Sequence, residues 1–210
     1  MSGKIKLMQE PNFEEAIQYA LLKLRAELPK SFTYHNVWHT QVEVATAVSR
    51  FAKIEQLPEK ELELLQVAVA YHDIGFITFP QNHEWMSIRE VQKILPKYGF
   101  NKPQIETISN MIGATRLPQS PQTLAEMILA DADLEVLGRK DFFTRNQALR
   151  DEFRYLNRPF TQEAWLKNQL DFLQNHTYFT QAAQSICRKQ KQRNIELIQK
   201  KLAKYPIDSL

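Results

Sequence analysis

Apolar residues recur along this chain at intervals of three and four, and that period predicts helices from one end to the other. Between Pro11 and Leu28, Phe13, Ile17, Ala20, Leu21 and Leu24 share a face, with Glu14 and Glu15 in the first turn and Pro29 as the stop. A second helix is expected over 36–55, where Val42, Ala45, Val48 and Ala52 line one side. After Pro58 the period weakens. The run Val67-Ala68-Val69-Ala70-Tyr71 would suit a buried strand, but Leu62, Leu64 and Leu65 lengthen the apolar segment beyond ten residues, which favours a buried helix. Gly75 to Pro80 reads as a loop, and Glu84 to Tyr98 as a helix ending near Gly99. Ile105, Ile108 and Ile112 mark another helix, Pro118 and Pro121 a turn, and Leu124, Met127 and Ile128 open a helix expected to reach Gly138. Phe142, Leu149 and Phe153 continue the theme, as do Trp165, Leu170 and Leu173. The expectation is an all-α fold: one compact helical bundle over 1–210, with a packed helical extension over about 160–205.

Composition agrees with that reading and narrows it. Five glycines against ten prolines suit helices punctuated by prolines, and 43% hydrophobic with 24% charged residues argue against disorder. The lone cysteine, Cys187, excludes an internal disulfide, suits a reducing cytoplasm, and is expected to be an apolar filler on a late helix. No window approaches eighteen uninterrupted apolar residues and the first ten carry no secretory signature, so no membrane span is expected and a cytoplasmic protein is. A net charge of +3 is too small to imply nucleic acid. From Arg188 to Lys204, however, seven basic residues face a single Glu196, interleaved with Ile195, Leu197, Ile198 and Leu202. A solvated basic face is the expectation there. A lure for anionic substrates or a polyanion contact are the alternatives.

Polar residues that interrupt the apolar pattern carry the chemistry. His35 and His39 lie four apart in Tyr34-His35-Asn36-Val37-Trp38-His39-Thr40, so on a helix they share a face. Asn36 is a credible N-cap, which would leave His35 just outside the first turn and His39 inside it. His72-Asp73 ends the buried run, where a bare imidazole and carboxylate would be costly unless a cation compensates them. Asp131 and Asp133 interrupt a further apolar segment. Two residues apart on a helix, they cannot point the same way, so only one is expected to enter a site and the other to lie on the helix face or orient a ligand.

The ordered set His39, His72-Asp73 and Asp131/Asp133 resembles the HD-domain superfamily of metal-dependent phosphohydrolases. Asn82-His83-Glu84-x-x-Ser87 and Asp131-Ala-Asp133-Leu-x-x-Leu-Gly138 are similar to the small bacterial predicted metal-dependent HD phosphohydrolases. The motifs span about 30–140, the stretch expected to form the metal-site core. The resemblance implies His39, His72, Asp73 and Asp133 as metal ligands, with Asp131 as the alternative to Asp133 because both follow an alanine. It implies a general-acid role for His35, and a pocket-shaping one for His83 and Glu84. The stretch Ile108 to Arg116 departs from branches that hold a second metal there, since it offers Asn110, Thr115 and Arg116 but no histidine. One ion rather than two is therefore expected.

Two imidazoles and two carboxylates suit Mn²⁺, Fe²⁺, Co²⁺ or Zn²⁺, with Mg²⁺ as an option. The expected activity is hydrolysis of a phosphate ester, a nucleotide or related small phosphorylated molecule, as a phosphomonoesterase or phosphodiesterase using metal-activated water. Asp73 or Glu84 would orient the nucleophile, His35 would protonate the departing oxygen, and Arg116 and Arg139 could clamp phosphate. The alternatives are a non-catalytic metal-containing module that binds nucleotides or a partner, and a helical interaction protein using its basic face. Homo-oligomers are compatible with the sequence, whereas neither nucleic acid nor membrane is expected as a partner.

Overall fold

The computed structural model describes residues 10–205, and those residues fold into helices and turns without a strand among them. The expected all-α class is borne out. Nine α-helices follow in order: α1 (Phe13–Glu27), α2 (Ala45–Ile54), α3 (Glu59–Tyr71), α4 (His83–Ile94), α5 (Lys102–Ala114), α6 (Leu124–Asp133), α7 (Phe142–Tyr155), α8 (Gln162–Asn175) and α9 (Gln181–Leu202). Local capping explains many starts. Asn12, Thr123, Thr161 and Thr180 each accept a backbone N–H three residues on, and Asn101 with Gln104 forms a reciprocal capping box.

Helix α3 is the axis of the bundle, packed by α1, α5, α6 and α2. All five residues of the run Val67–Tyr71 are buried, which is why its period faded: a helix covered on every side has no polar stripe. Tyr71 is fully buried, and its hydroxyl donates to the Ala16 carbonyl at 3.1 Å.

Three local departures from the expected helices lie beside the histidines. The helix expected over 36–55 carries near its start a π-helical turn, His39–Val44, in which the Ala45 N–H reaches back five residues to Thr40. Such turns widen the helix locally and are frequent at functional sites. Gly75 to Pro80 is not a loose loop: Ile74–Ile77 and Pro80–Asn82 form 3-10 turns. The helix expected to run to Gly138 stops at Asp133, followed by a 3-10 turn at Glu135–Gly138. The reason is tertiary. The Tyr178 hydroxyl donates to the Leu134 carbonyl, and the Asn194 amide donates to those of Leu137 and Arg139, so groups freed by the break have partners in the C-terminal region. Likewise Pro96 ends α4 early, and the expected turn at Gly99 is present with φ +85°.

Two glycines are needed for close approach. A Cβ on Gly75 would meet the His83 carbonyl oxygen at 1.9 Å, and one on Gly138 would meet the Cys187 Cβ at 2.4 Å. Gly75 lets the turn after His72-Asp73 press on the start of α4, and Gly138 lets α9 press on the turn after Asp133. Cys187 is buried there, with its thiol pushed up to about 12 by burial, as suits the apolar filler expected.

Candidate metal centre

Three segments bring imidazoles and carboxylates to one buried point. Asn36 caps the first turn, its side-chain oxygen accepting the N–H groups of Trp38 and His39 at 3.0 and 3.1 Å. This aims His39 inward from the π-helical turn. His72 and Asp73 enter at the C-terminal end of α3, and Asp133 enters from the last residue of α6. His39 Nε2 lies 3.1 Å from Asp133 Oδ1 and 3.7 Å from Asp73 Oδ2. His72 Nε2 lies 3.5 Å from Asp133 Oδ1 and 3.2 Å from Asp73 Oδ2. One ligand atom each from His39, His72 and Asp133 fall within 4.8 Å of one another, as metal ligands do.

The Nδ1 atoms fix which way the rings work. His72 Nδ1 donates to the Val69 carbonyl at 2.7 Å, and His39 Nδ1 faces Glu43 at 3.1 Å. With Nδ1 carrying the proton, each Nε2 presents its lone pair to the common point. Glu43 is held in turn by Arg139 and Arg145, at 2.8 Å each. Burial alone would raise the Glu43 carboxyl, but its hydrogen bond with His39 and the two guanidinium groups hold it at about 2.

The donor set fits a divalent cation. Neither His72 Nε2 nor Asp73 Oδ2 makes a hydrogen bond, although both are buried. Leaving such atoms unsatisfied costs about 1–3 kcal/mol each. Without metal, protons fill part of that role. Burial opposes charge on His39 and His72, yet Asp133, Glu43 and Asp73 raise His39 to about 9, and Asp73 and Asp133 raise His72 well above its ordinary value. Burial also opposes charge on Asp73 and Asp133, yet the same imidazoles hold both well below the usual carboxylate range.

The other residues singled out in the sequence divide between the cavity and elsewhere. His35, His83 and Glu84 line the cavity beside Asp73 and Asp133. His83 Nδ1 donates to the Pro80 carbonyl at 3.2 Å, leaving Nε2 3.6 Å from both Asp73 Oδ1 and Glu84 Oε1. Asp131 points the other way. Its oxygens accept the N–H groups of Phe179 and Thr180 and the Thr180 hydroxyl, at 2.7–2.9 Å, and so anchor the start of α9. Arg116 is exposed between the cavity-lining Thr115 and Leu117 without lining the cavity itself. Arg139 also lies outside the lining, where it pairs with Glu43 and Asp141.

Several groups at the site are given no role by the sequence alone. Glu43 sits four residues after His39, a helical spacing that could have revealed it. Glu152, on α7, accepts the N–H groups of Tyr34 and His35 at 3.0 Å each and holds His35 Nδ1 at 2.5 Å. Nothing in local spacing links it to His35, more than a hundred residues earlier. Phe76 stacks on His35 and on His83, with ring centroids 4.2 and 3.9 Å away. Ser87, in the frame after His83, ties the turn at Gly75 to α4: it accepts the Gly75 N–H and donates to the His72 carbonyl.

The family model described as HD domain matches residues 38–135. A crystal structure of a predicted HD superfamily hydrolase from an uncultured Thermotogales bacterium shares the fold, with TM-score 0.61 and 18% identity over 98% of this chain and 100% of that one. The crystal structure of a Lactobacillus plantarum protein does so too, with TM-score 0.67 and 17% identity over 94% of this chain and 98% of that one. No curated protein matches the chain.

Proposed function

We propose that this chain, whose residues 38–135 match the HD-domain family model, is a metal-dependent hydrolase of small phosphate esters. The observation that carries the reading is the meeting of ligand atoms of His39, His72 and Asp133, with Asp73 beside both imidazoles and with His72 Nε2 and Asp73 Oδ2 buried and unbonded, next to a cavity that Asp73 and Asp133 line together with His35 and Glu84. His39 and His72 would hold the ion through Nε2, and Asp73 and Asp133 through carboxylate oxygens. A bound divalent ion supplies a Lewis acid that acidifies water and polarises the phosphoryl group. The donor set favours one Mn²⁺, Fe²⁺, Co²⁺ or Zn²⁺.

The remaining steps belong to the chain's own groups. Glu84, facing the cavity, orients the attacking water by accepting a hydrogen bond from it, and His83 stands between Glu84 and Asp73. His35, its Nδ1 engaged by Glu152 and its ring stacked on Phe76, offers Nε2 to protonate the departing oxygen. General acid help of this kind is worth about 10²–10⁴-fold. Arg158 replaces Arg116 and Arg139 in this reading as the cation that meets phosphate, because it lines the cavity and they do not.

The test is elemental analysis of the purified protein, followed by a phosphate-release panel with the metal found. His72→Ala should lose both the ion and hydrolysis, and retention of either would contradict the proposal. Nucleotide binding without turnover would favour the non-catalytic alternative.

A further inference from the structure

The cavity at the proposed centre, about 300 Å³, has walls of two chemical kinds. One wall is polar, made by His35, Asp73, His83, Glu84, Asp133 and Glu152. An apolar wall is made by Leu117, Leu134, Leu149, Phe153, Leu156 and Phe172, of which Leu134 and Phe153 directly follow Asp133 and Glu152 in the chain. None of these six is fully buried, and Leu117 is 55% exposed. A second cavity of about 170 Å³ shares Leu117, Leu134, Leu149, Phe153 and Phe172 with the first, so the apolar wall has open space beyond it as well. Behind it the polar side chains are occupied with one another: Trp165 donates to Asn146, Asn146 to Gln169, and Gln169 to Asn168.

Phosphoryl transfer itself makes no use of an apolar wall, so this surface serves whatever the phosphate is attached to. We propose that it is a leaving-group subsite, selecting esters that carry a single phosphate on a flat, uncharged, mainly apolar ring. Charge supports the single phosphate. Among the described residues, Arg158 is the one lysine or arginine in the lining, against four carboxylates. A monoester dianion can be met by one divalent ion and Arg158, whereas a polyphosphate would bring further negative charge beside Glu84 and Glu152 without a cation to receive it. Size supports the ring, since the space is at the lower limit of about 300–1,000 Å³ for ligand sites. At its phosphate end the inference rests on the hydrolase reading; the apolar wall stands apart from it.

Calorimetric titration of the Mn²⁺-loaded protein with two non-hydrolysable probes separates the two. 1-Naphthylphosphonate should bind roughly 10- to 100-fold more tightly than methylphosphonate, the gain expected for burying an aromatic ring. Phe153→Ser should erase most of that difference. So should Leu117→Ser, which alters an exposed position and leaves the core intact. Equal affinities for the two probes, no binding of the naphthyl probe, or tighter binding of tripolyphosphate would each overturn the subsite. Tight naphthylphosphonate binding without hydrolysis of any ester, 1-naphthyl phosphate included, would support the subsite and overturn the hydrolase reading instead.

Discussion

The five histidines of this chain fall in two regions that treat the same side chain in opposite ways. Around the proposed metal centre, His35, His39, His72 and His83 each have Nδ1 engaged, by Glu152, Glu43, the Val69 carbonyl and the Pro80 carbonyl. Each is thereby turned so that Nε2 is left for something else. His176, in the joint between α8 and α9, has neither ring nitrogen bonded to protein. It packs against Phe172 and Tyr178 as an aromatic filler, and burial, with Lys191 nearby, pushes it down to about 4. A working histidine is thus marked in the folded chain by the partner that fixes its far nitrogen rather than by its burial.

That contrast can be broken in order of effect. Glu152→Gln removes the carboxylate behind His35 without touching the proposed ligands. Turnover should fall by about 10²-fold, more for alkyl phosphates than for 4-nitrophenyl phosphate, whose leaving group needs no proton, while metal content stays intact. An equal loss for both substrates would remove His35 from the acid role. Glu43→Gln weakens the carboxylate behind His39, and metal affinity measured against a chromophoric chelator should drop about 10- to 100-fold. Unchanged affinity would make Glu43 a partner of Arg139 and Arg145 alone.

Asp131→Asn tests the division between the two acidic residues of α6. It should leave metal content unchanged and lower unfolding stability by about 1–3 kcal/mol in urea, because the N–H groups of Phe179 and Thr180 lose a charged acceptor. Loss of metal instead would return Asp131 to the ligand set.

The smallest effect is expected at His176. Its folded value, about 4, lies below the 6.5 of a free imidazole, so on acidification the unfolded chain takes up a proton first. The stability this group contributes is complete above about 6.5 and is lost as pH falls toward 4. His176→Phe should flatten that part of the pH–stability curve, and an unchanged slope would show that another group titrates there.

The sequence-legible part of the molecule is the part governed by local rules. Periodicity and proline positions located the helices, and the Asn36 cap was readable because it depends on residues two and three positions on. The breaks beside the centre were not readable. The stop at Asp133 is tied to Tyr178 and Asn194, which capture carbonyls from the other end of the chain. Choosing between Asp131 and Asp133 met the same obstacle, since both follow an alanine and only the docking of α9 separates their directions. Arg116 and Arg139 lie near the motif ends, yet nearness in sequence does not bring them into the cavity lining, whereas Arg158 lines it from far along the chain. Glu152 was hidden for the same reason, as its partnership with His35 exists only once α7 packs.

Whether these helices converge to hold one divalent cation can be seen by anomalous diffraction from crystals soaked in Zn²⁺. One strong peak, bonded to Nε2 of His39 and His72 and to the carboxylates of Asp73 and Asp133, is expected. An ion bound elsewhere, with these four side chains contacting only each other, would contradict that convergence.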